Sequence, residues 1–191
     1  MWKLTLPPSF VASYQTEILP GLVRRVKRWG REDESGIVIT HPYPEIRAML
    51  LPDYAEKAPK DTSVLVHLLT DPPRESYDLN NQLMGEFVKD AAGNPIYRES
   101  DLTLRPRPQE YKCLDVIEDV FGYDEIFNSA SKKKGYWLAA AIGHNTCTYC
   151  NRQYTFTVDG KNSAERITRP AFDHWFPKLL FPLLSLNIYN L

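Results

Sequence analysis

The stretch Cys147-Thr148-Tyr149-Cys150, followed by Tyr154-Thr155-Phe156-Thr157-Val158 and then Asp159-Gly160-Lys161-Asn162, decides how the end of the chain is expected to fold. Cys-x-x-Cys places two sulfurs on one tight turn, from which both thiolates reach a single tetrahedral zinc. Tyr154, Phe156 and Val158 alternate with threonines, the period-two pattern of a strand. Asp159-Gly160 has turn chemistry, with Gly160 able to take positive φ, and the chain returns through Arg166-Ile167-Thr168-Arg169. The spacing therefore predicts a zinc knuckle opening a β-hairpin. A thioredoxin-like redox site would instead need the motif to open a helix, and the alternating residues after Cys150 argue against that. His144 extends the motif to His-x-x-Cys-x-x-Cys and is an alternative third ligand, although structural zinc sites usually take their ligands as two separated pairs.

Upstream of this stretch the pattern is largely helical. Leu22, Val23, Val26 and Trp29 predict an amphipathic helix over 18–29, with Arg24, Arg25, Lys27 and Arg28 outside. Pro44 to Leu51 reads as a second helix stopped by Pro52. Ser63 to Leu69 is an apolar run that fits a strand or a buried helix, and His67 within it reads as a core histidine. Phe87-Val88 and Ile96-Tyr97 flank a long turn, Asp90 to Pro95, as in a hairpin. Thr103 to Pro108 is an extended joint that divides a helical or mixed region, 1–110, from a second region, 111–191. Leu114, Ile117, Val120 and Phe121 keep helical spacing up to Gly122, and Cys113 beside them reads as a buried structural thiol. Tyr136 to Ile142 predicts a buried helix ending near Gly143. The expected class is α+β, a mostly helical N-terminal portion followed by the zinc-knuckle hairpin.

The chain has 191 residues, 43% hydrophobic and 25% charged, which excludes a wholly disordered chain and suits one medium domain or a domain plus a smaller module. Prolines 7 and 8 interrupt the N-terminus before any apolar signal core, and no run of about 18 apolar residues occurs. A cytoplasmic location away from the membrane is the expectation. Three cysteines, an odd number, do not make a disulfide framework. The net charge of −1 conceals a division: residues 131–191 carry eight basic and three acidic side chains, and the remainder is acidic. A basic segment attracts phosphate backbones, and equally well makes a solvated face.

After the hairpin the chain reads Ala171-Phe172-Asp173-His174-Trp175-Phe176-Pro177-Lys178 and ends on Phe181-Pro182-Leu183-Leu184-Ser185-Leu186-Asn187-Ile188-Tyr189-Asn190-Leu191. Asp-His after an extended segment, then Pro-Lys, then Tyr-Asn-Leu, with a Cys-x-x-Cys ahead, resembles the HNH (ββα-metal) endonucleases. The Cys-x-x-Cys resembles their zinc-bearing subgroup, whose members include candidate effectors of bacterial anti-phage and retron systems. The resemblance covers about a quarter to a third of the chain and leaves the front part unmatched.

The resemblance implies a metal-dependent hydrolase of phosphodiester bonds in nucleic acid, DNA in the first place. His174 matches the general base, Asp173 a ligand of a catalytic Mg2+ or similar cation, and Asn190 the middle Asn that braces the loop carrying the base. Cys147 and Cys150 match the first pair of a structural Zn2+ site. Charge alone adds Lys178, Arg169 and Arg152 as phosphate contacts. The family's pattern continues past the middle Asn to a second Cys-x-x-Cys and a metal-binding helix. The sequence stops at Leu191, so the expectation is an incomplete ββα-metal motif that is inactive alone. Leu179–Leu191 is then expected to expose apolar surface to a protein partner or to aggregation. An alternative from another class is a zinc-knuckle module that binds nucleic acid or protein without cutting.

Overall fold

The computed structural model describes residues 5–28, 43–52, 62–103, 106–128, 134–143, 158–159, 166–168 and 174–191. Among them are six α-helices: α1 (Pro8–Arg28), α2 (Pro44–Leu50), α3 (Ser63–Thr70), α4 (Pro73–Phe87), α5 (Cys113–Val120) and α6 (Lys134–Ile142). Pro8 opens α1 at a position where its missing N–H costs nothing. Tyr14, Ile18, Leu22 and Val26, one per turn, line its buried face. The helix thus starts ten residues before the expected Ile18. Ser63–Leu69, ambiguous from its pattern, is helix: Leu65, Leu68 and Leu69 are fully buried at helical spacing against α1. His67 falls on the opposite face, 56% exposed and 3.0 Å from the Asp71 carboxylate, so it is not a core histidine.

The turn expected between Phe87 and Tyr97 forms. Phe87 ends α4, the Ile96 N–H donates to the Val88 carbonyl at 3.0 Å, and Gly93 sits at φ 84°, where a side chain would be strained. The Asp90 carboxylate accepts from the N–H groups of Ala92 and Asn94, and these bonds pull its pKa below the ordinary value. α5 ends before Gly122 and leads through Tyr123 into a π-helical turn, Asp124–Asn128. The buried Arg107 guanidinium pairs with Asp115 and Glu118 on α5. Arg25, expected outside α1, reaches across to the Asp119 carbonyl at the end of α5 and to the Glu125 carboxylate. Cys113 is buried, with Sγ 3.5 Å from the Phe87 carbonyl oxygen, and burial pushes its thiol up to about 11.

Two expectations need correction. The helix at Tyr136–Ile142 forms and ends at Gly143, φ 67°, but it buries one side only: Leu138 is inside, Ala140 and Ala141 are exposed, and Trp137 stacks near Tyr14 at 6.3 Å. The α+β class with a zinc-knuckle β-hairpin, the incomplete ββα-metal motif, does not describe this chain. The described residues are mostly helical. Their strand pairing is limited to Val158–Asp159 against Arg166–Thr168, antiparallel and irregular in register, and a single antiparallel bridge between Lys89 and Pro95. A two-stranded ladder is marginal on its own; among the described residues the core is built mainly from helices and the last segment. Cys147 and Cys150, together with 154–157, lie outside the described residues.

The last segment completes the core. Phe181, Leu183, Leu184, Leu186, Ile188 and Leu191 are buried in the same hydrophobic core as α1, α3 and α5, which runs from Leu6 to Leu191. The exposure expected for Leu179–Leu191, on which a protein partner was to act, is therefore overturned; only Leu179 at its start is strongly exposed among the large apolar side chains there. Burial is possible because the backbone of this non-helical segment is satisfied by side chains and helix ends. Tyr14 donates to the Leu186 carbonyl at 2.7 Å. Asn187 donates to the Leu68 and Asp71 carbonyls, 3.0 Å each, at the C-terminus of α3. The Ile188 N–H donates to the Leu69 carbonyl at 2.9 Å.

Candidate functional site

His174 and Asn190 are brought together by the folding of 174–191 back on itself. Pro177 and Pro182 end local hydrogen-bonding and impose turns: Leu180 and Phe181 both donate to the Pro177 carbonyl at 2.9 Å, and a 3₁₀ turn follows at Pro182–Leu184. This returns Asn190 to the loop after His174. The Trp175 N–H donates to the Asn190 carbonyl at 3.1 Å. The Asn190 side chain, only 2% exposed, accepts from the Phe176 N–H and donates to the carbonyls of Phe176, at 3.2 Å, and Leu184, at 2.8 Å. Phe176 is further held in an aromatic triangle with Tyr77 and Phe181, ring centroids 5.7 and 5.1 Å away.

The His174 ring is half-buried, not sunk in the apolar interior. Its Nε2 lies 3.0 Å from the Ser185 carbonyl oxygen, and Tyr123 meets the ring edge-on, centroids 4.7 Å apart at 79°. A carbonyl only accepts, so Nε2 carries a proton in this contact. Ser185 in turn donates its hydroxyl to the Phe121 carbonyl at 2.6 Å. Beside this arrangement lies an open cleft of about 320 Å³, lined among others by Tyr123, Asp124, Glu125, Lys178 and Ser185.

Lys178 stands at that cleft, 48% exposed, with its ammonium 2.6 Å from the Asp124 carboxylate and 5.4 Å from the centre of the Tyr123 ring. It is thus an ion-pair partner within the protein as well as a cation near the surface. Asp173, Cys147, Cys150, Arg152, Arg169 and His144 lie outside the described residues. Among the described residues no group of three or more His, Cys, Asp or Glu side chains could hold a metal ion, so the fit of a catalytic cation or of zinc rests on those other positions.

Three participants were not singled out by pattern. Tyr123 and Asp124 belong to the segment after α5, far from the Asp-His in sequence, and Ser185 sits in an apolar run where a hydroxyl is easily passed over. A buried serine between Leu184 and Leu186 was the one signal available, since a buried hydroxyl needs a partner. No helix among the described residues is long and apolar enough to cross a membrane. Comparison with protein-family models, with curated proteins and with solved structures finds no match to this chain.

Proposed function

We propose that the chain carries the base-bearing part of an HNH-type, metal-dependent nuclease that hydrolyses phosphodiester bonds in nucleic acid, DNA first, in a role such as anti-phage defence. The observation that carries this reading is the clamp of Asn190 on Trp175 and Phe176, the two residues that follow His174. A general base must be held within hydrogen-bond reach of its water, and a loop fixed at both backbone groups of Phe176 meets that need. The Nε2 contact to Ser185 supports it further, because a ring that donates to a fixed carbonyl is held in one orientation. Half-burial keeps the ring close to solvent while restricting its rotation.

Asp173 would hold the divalent cation, and Cys147 and Cys150 would supply thiolates to zinc. The cation supplies charge neutralisation at the phosphate. Lys178, Arg152 and Arg169 are the proposed phosphate contacts, in keeping with the basic balance of 131–191.

The test uses the protein expressed from its whole reading frame, with supercoiled plasmid, linear duplex and single-stranded RNA offered in Mg2+ or Mn2+. Cleavage that falls at least about a hundredfold in His174→Ala, with the fold retained by circular dichroism, is the expected result. Undiminished cleavage removes His174 as base. Binding without any cleavage by the unmodified protein leaves a non-cutting nucleic-acid module instead.

A further inference from the structure

We infer that Tyr123 and Ser185, neither of which belongs to the Asp-His stretch, are positioning residues that fix the orientation and tautomer of the His174 ring through the segment Phe121–Tyr123. The contacts close a circuit. The ring gives its Nε2 proton to the Ser185 carbonyl at 3.0 Å; the Ser185 hydroxyl is tied to the Phe121 carbonyl at 2.6 Å; two residues on, Tyr123 returns to meet the same ring edge-on at 4.7 Å. One short segment at the end of α5 therefore holds both the plane of the imidazole and the residue that accepts its proton.

That segment is itself fixed. Phe121 and Tyr123 are buried, the Phe121 N–H donates to the Ile117 carbonyl at 2.9 Å, and Tyr123 packs on Phe127 with ring centroids 5.1 Å apart. Arg25 from α1 ties the end of α5 to the π-helical turn through the Asp119 carbonyl and Glu125. Single-turn π segments recur at functional sites because the extra residue redirects side chains. Here the turn begins directly after Tyr123, and its first residue, Asp124, engages Lys178. The helical front of the molecule, for which the sequence offers no chemistry, is thereby joined to the candidate base. Rotating the imidazole by half a turn about Cβ–Cγ would put the carbon Cε1 where Nε2 and its proton now face Ser185. The edge contact with Tyr123 and the anchored carbonyl both oppose that rotation.

The inference rests on the reading of His174 as a base, and its test separates the two. Ring-nitrogen NMR spectra of the chain, without nucleic acid or metal, are recorded near pH 8; His174 is assigned among the four histidines by its loss in His174→Gln. The unmodified chain is expected to show one tautomer, protonated on Nε2. Tyr123→Phe keeps that signature, whereas Tyr123→Leu and Ser185→Ala give mixed tautomers. In a cleaving form of the protein, Ser185→Ala lowers kcat at least about tenfold with KM unchanged. Should Tyr123→Leu fail to fold, Ser185→Ala, which removes a single oxygen, decides the matter. An Nδ1-protonated ring in the unmodified chain, or a single unmoved tautomer in every folded variant, overturns the inference. A chain with an ordered ring that cuts nothing fails the nuclease reading alone; one that cuts while its ring ignores both substitutions fails this inference alone.

Discussion

The side-chain amide of Asn190 is bonded to both backbone groups of Phe176, accepting its N–H and donating to its carbonyl, while also donating to Leu184. The amide is buried, and losing it takes this partner from the Phe176 N–H and carbonyl, while the Leu184 carbonyl keeps the Asn187 N–H at 3.1 Å. Asn190→Ala is expected to cost about 2–4 kcal/mol of stability, measured by urea unfolding, and to raise hydrogen exchange selectively at Trp175 and Phe176. Asn190→Asp keeps the acceptor, loses both donors and buries a charge. It should be destabilised most at neutral pH and partly restored in mild acid, where the carboxyl is protonated.

Cys113 gives a pH dependence of the same sign in a higher window. Its thiol holds a proton up to about 11 against an ordinary 9.0, because burial penalises the thiolate. Between those values the native state binds more protons than the unfolded chain. This contribution is therefore complete below pH 9 and is lost as pH rises towards 11, by at most about 2–3 kcal/mol. Tyr97, pushed up to about 12 chiefly by burial, acts in the same direction above pH 10. Urea midpoints should fall steadily from pH 8.5 to 10.5, and Cys113→Ala should flatten the first part of that fall. Alkylation of Cys113 in the native chain, followed by peptide mass spectrometry, should be slow at pH 8 and rapid once urea unfolds it.

Pro20 and Gly21 lie in the middle of α1. The proline lacks the N–H that would reach Thr16, and the glycine gives the unfolded chain extra freedom. A methyl group built on Gly21 meets nothing within 4 Å. Gly21→Ala should stabilise the chain by about 0.5–1 kcal/mol. Pro20→Ala, at an exposed position, should stabilise it by more, up to about 3 kcal/mol. Thermal midpoints check both, and a fall on Pro20→Ala would mean that the ring shapes the helix to fit its neighbours.

How far these elements could be read in advance depended on what their patterns encode. α5 was legible as an element because Leu114, Ile117 and Val120 are spaced for one buried face, although it ends at Val120, two residues before the expected stop at Gly122. α1 was legible only from Ile18, although Tyr14 continues the same face, because its earlier turns are polar on the outer side. The segment from Phe181 to Leu191 misled more deeply. Exposure was expected there because the nuclease-like motif was read as incomplete; instead Tyr14 bonds the Leu186 carbonyl and the end of α3 bonds the Ile188 N–H, so the coil is buried with those two backbone groups paired. Residues 154–158 alternate as a strand does, and of these only Val158 lies among the described residues, where it pairs with Thr168. Asp-His and Asn190 could be picked out by type and spacing. Tyr123 could not, since only the folded chain brings it to His174.

Lys178 and Asp124 allow a last test, bearing on how nucleic acid would be met. Their ion pair is solvent-exposed, so breaking it should change stability by less than about 1 kcal/mol. Yet the same carboxylate competes with phosphate for the ammonium. If Lys178 contacts a phosphate, Asp124→Asn releases it and should tighten oligonucleotide binding several-fold at low salt, with the slope of log K against log salt steeper by about one. Lys178→Ala should weaken binding across all sequences and make the slope shallower by a similar amount. Fluorescence anisotropy over a salt series reads both. A slope indifferent to the two substitutions would leave Lys178 as an internal partner of Asp124 and Tyr123, and would move the phosphate contacts to the other basic residues of 131–191.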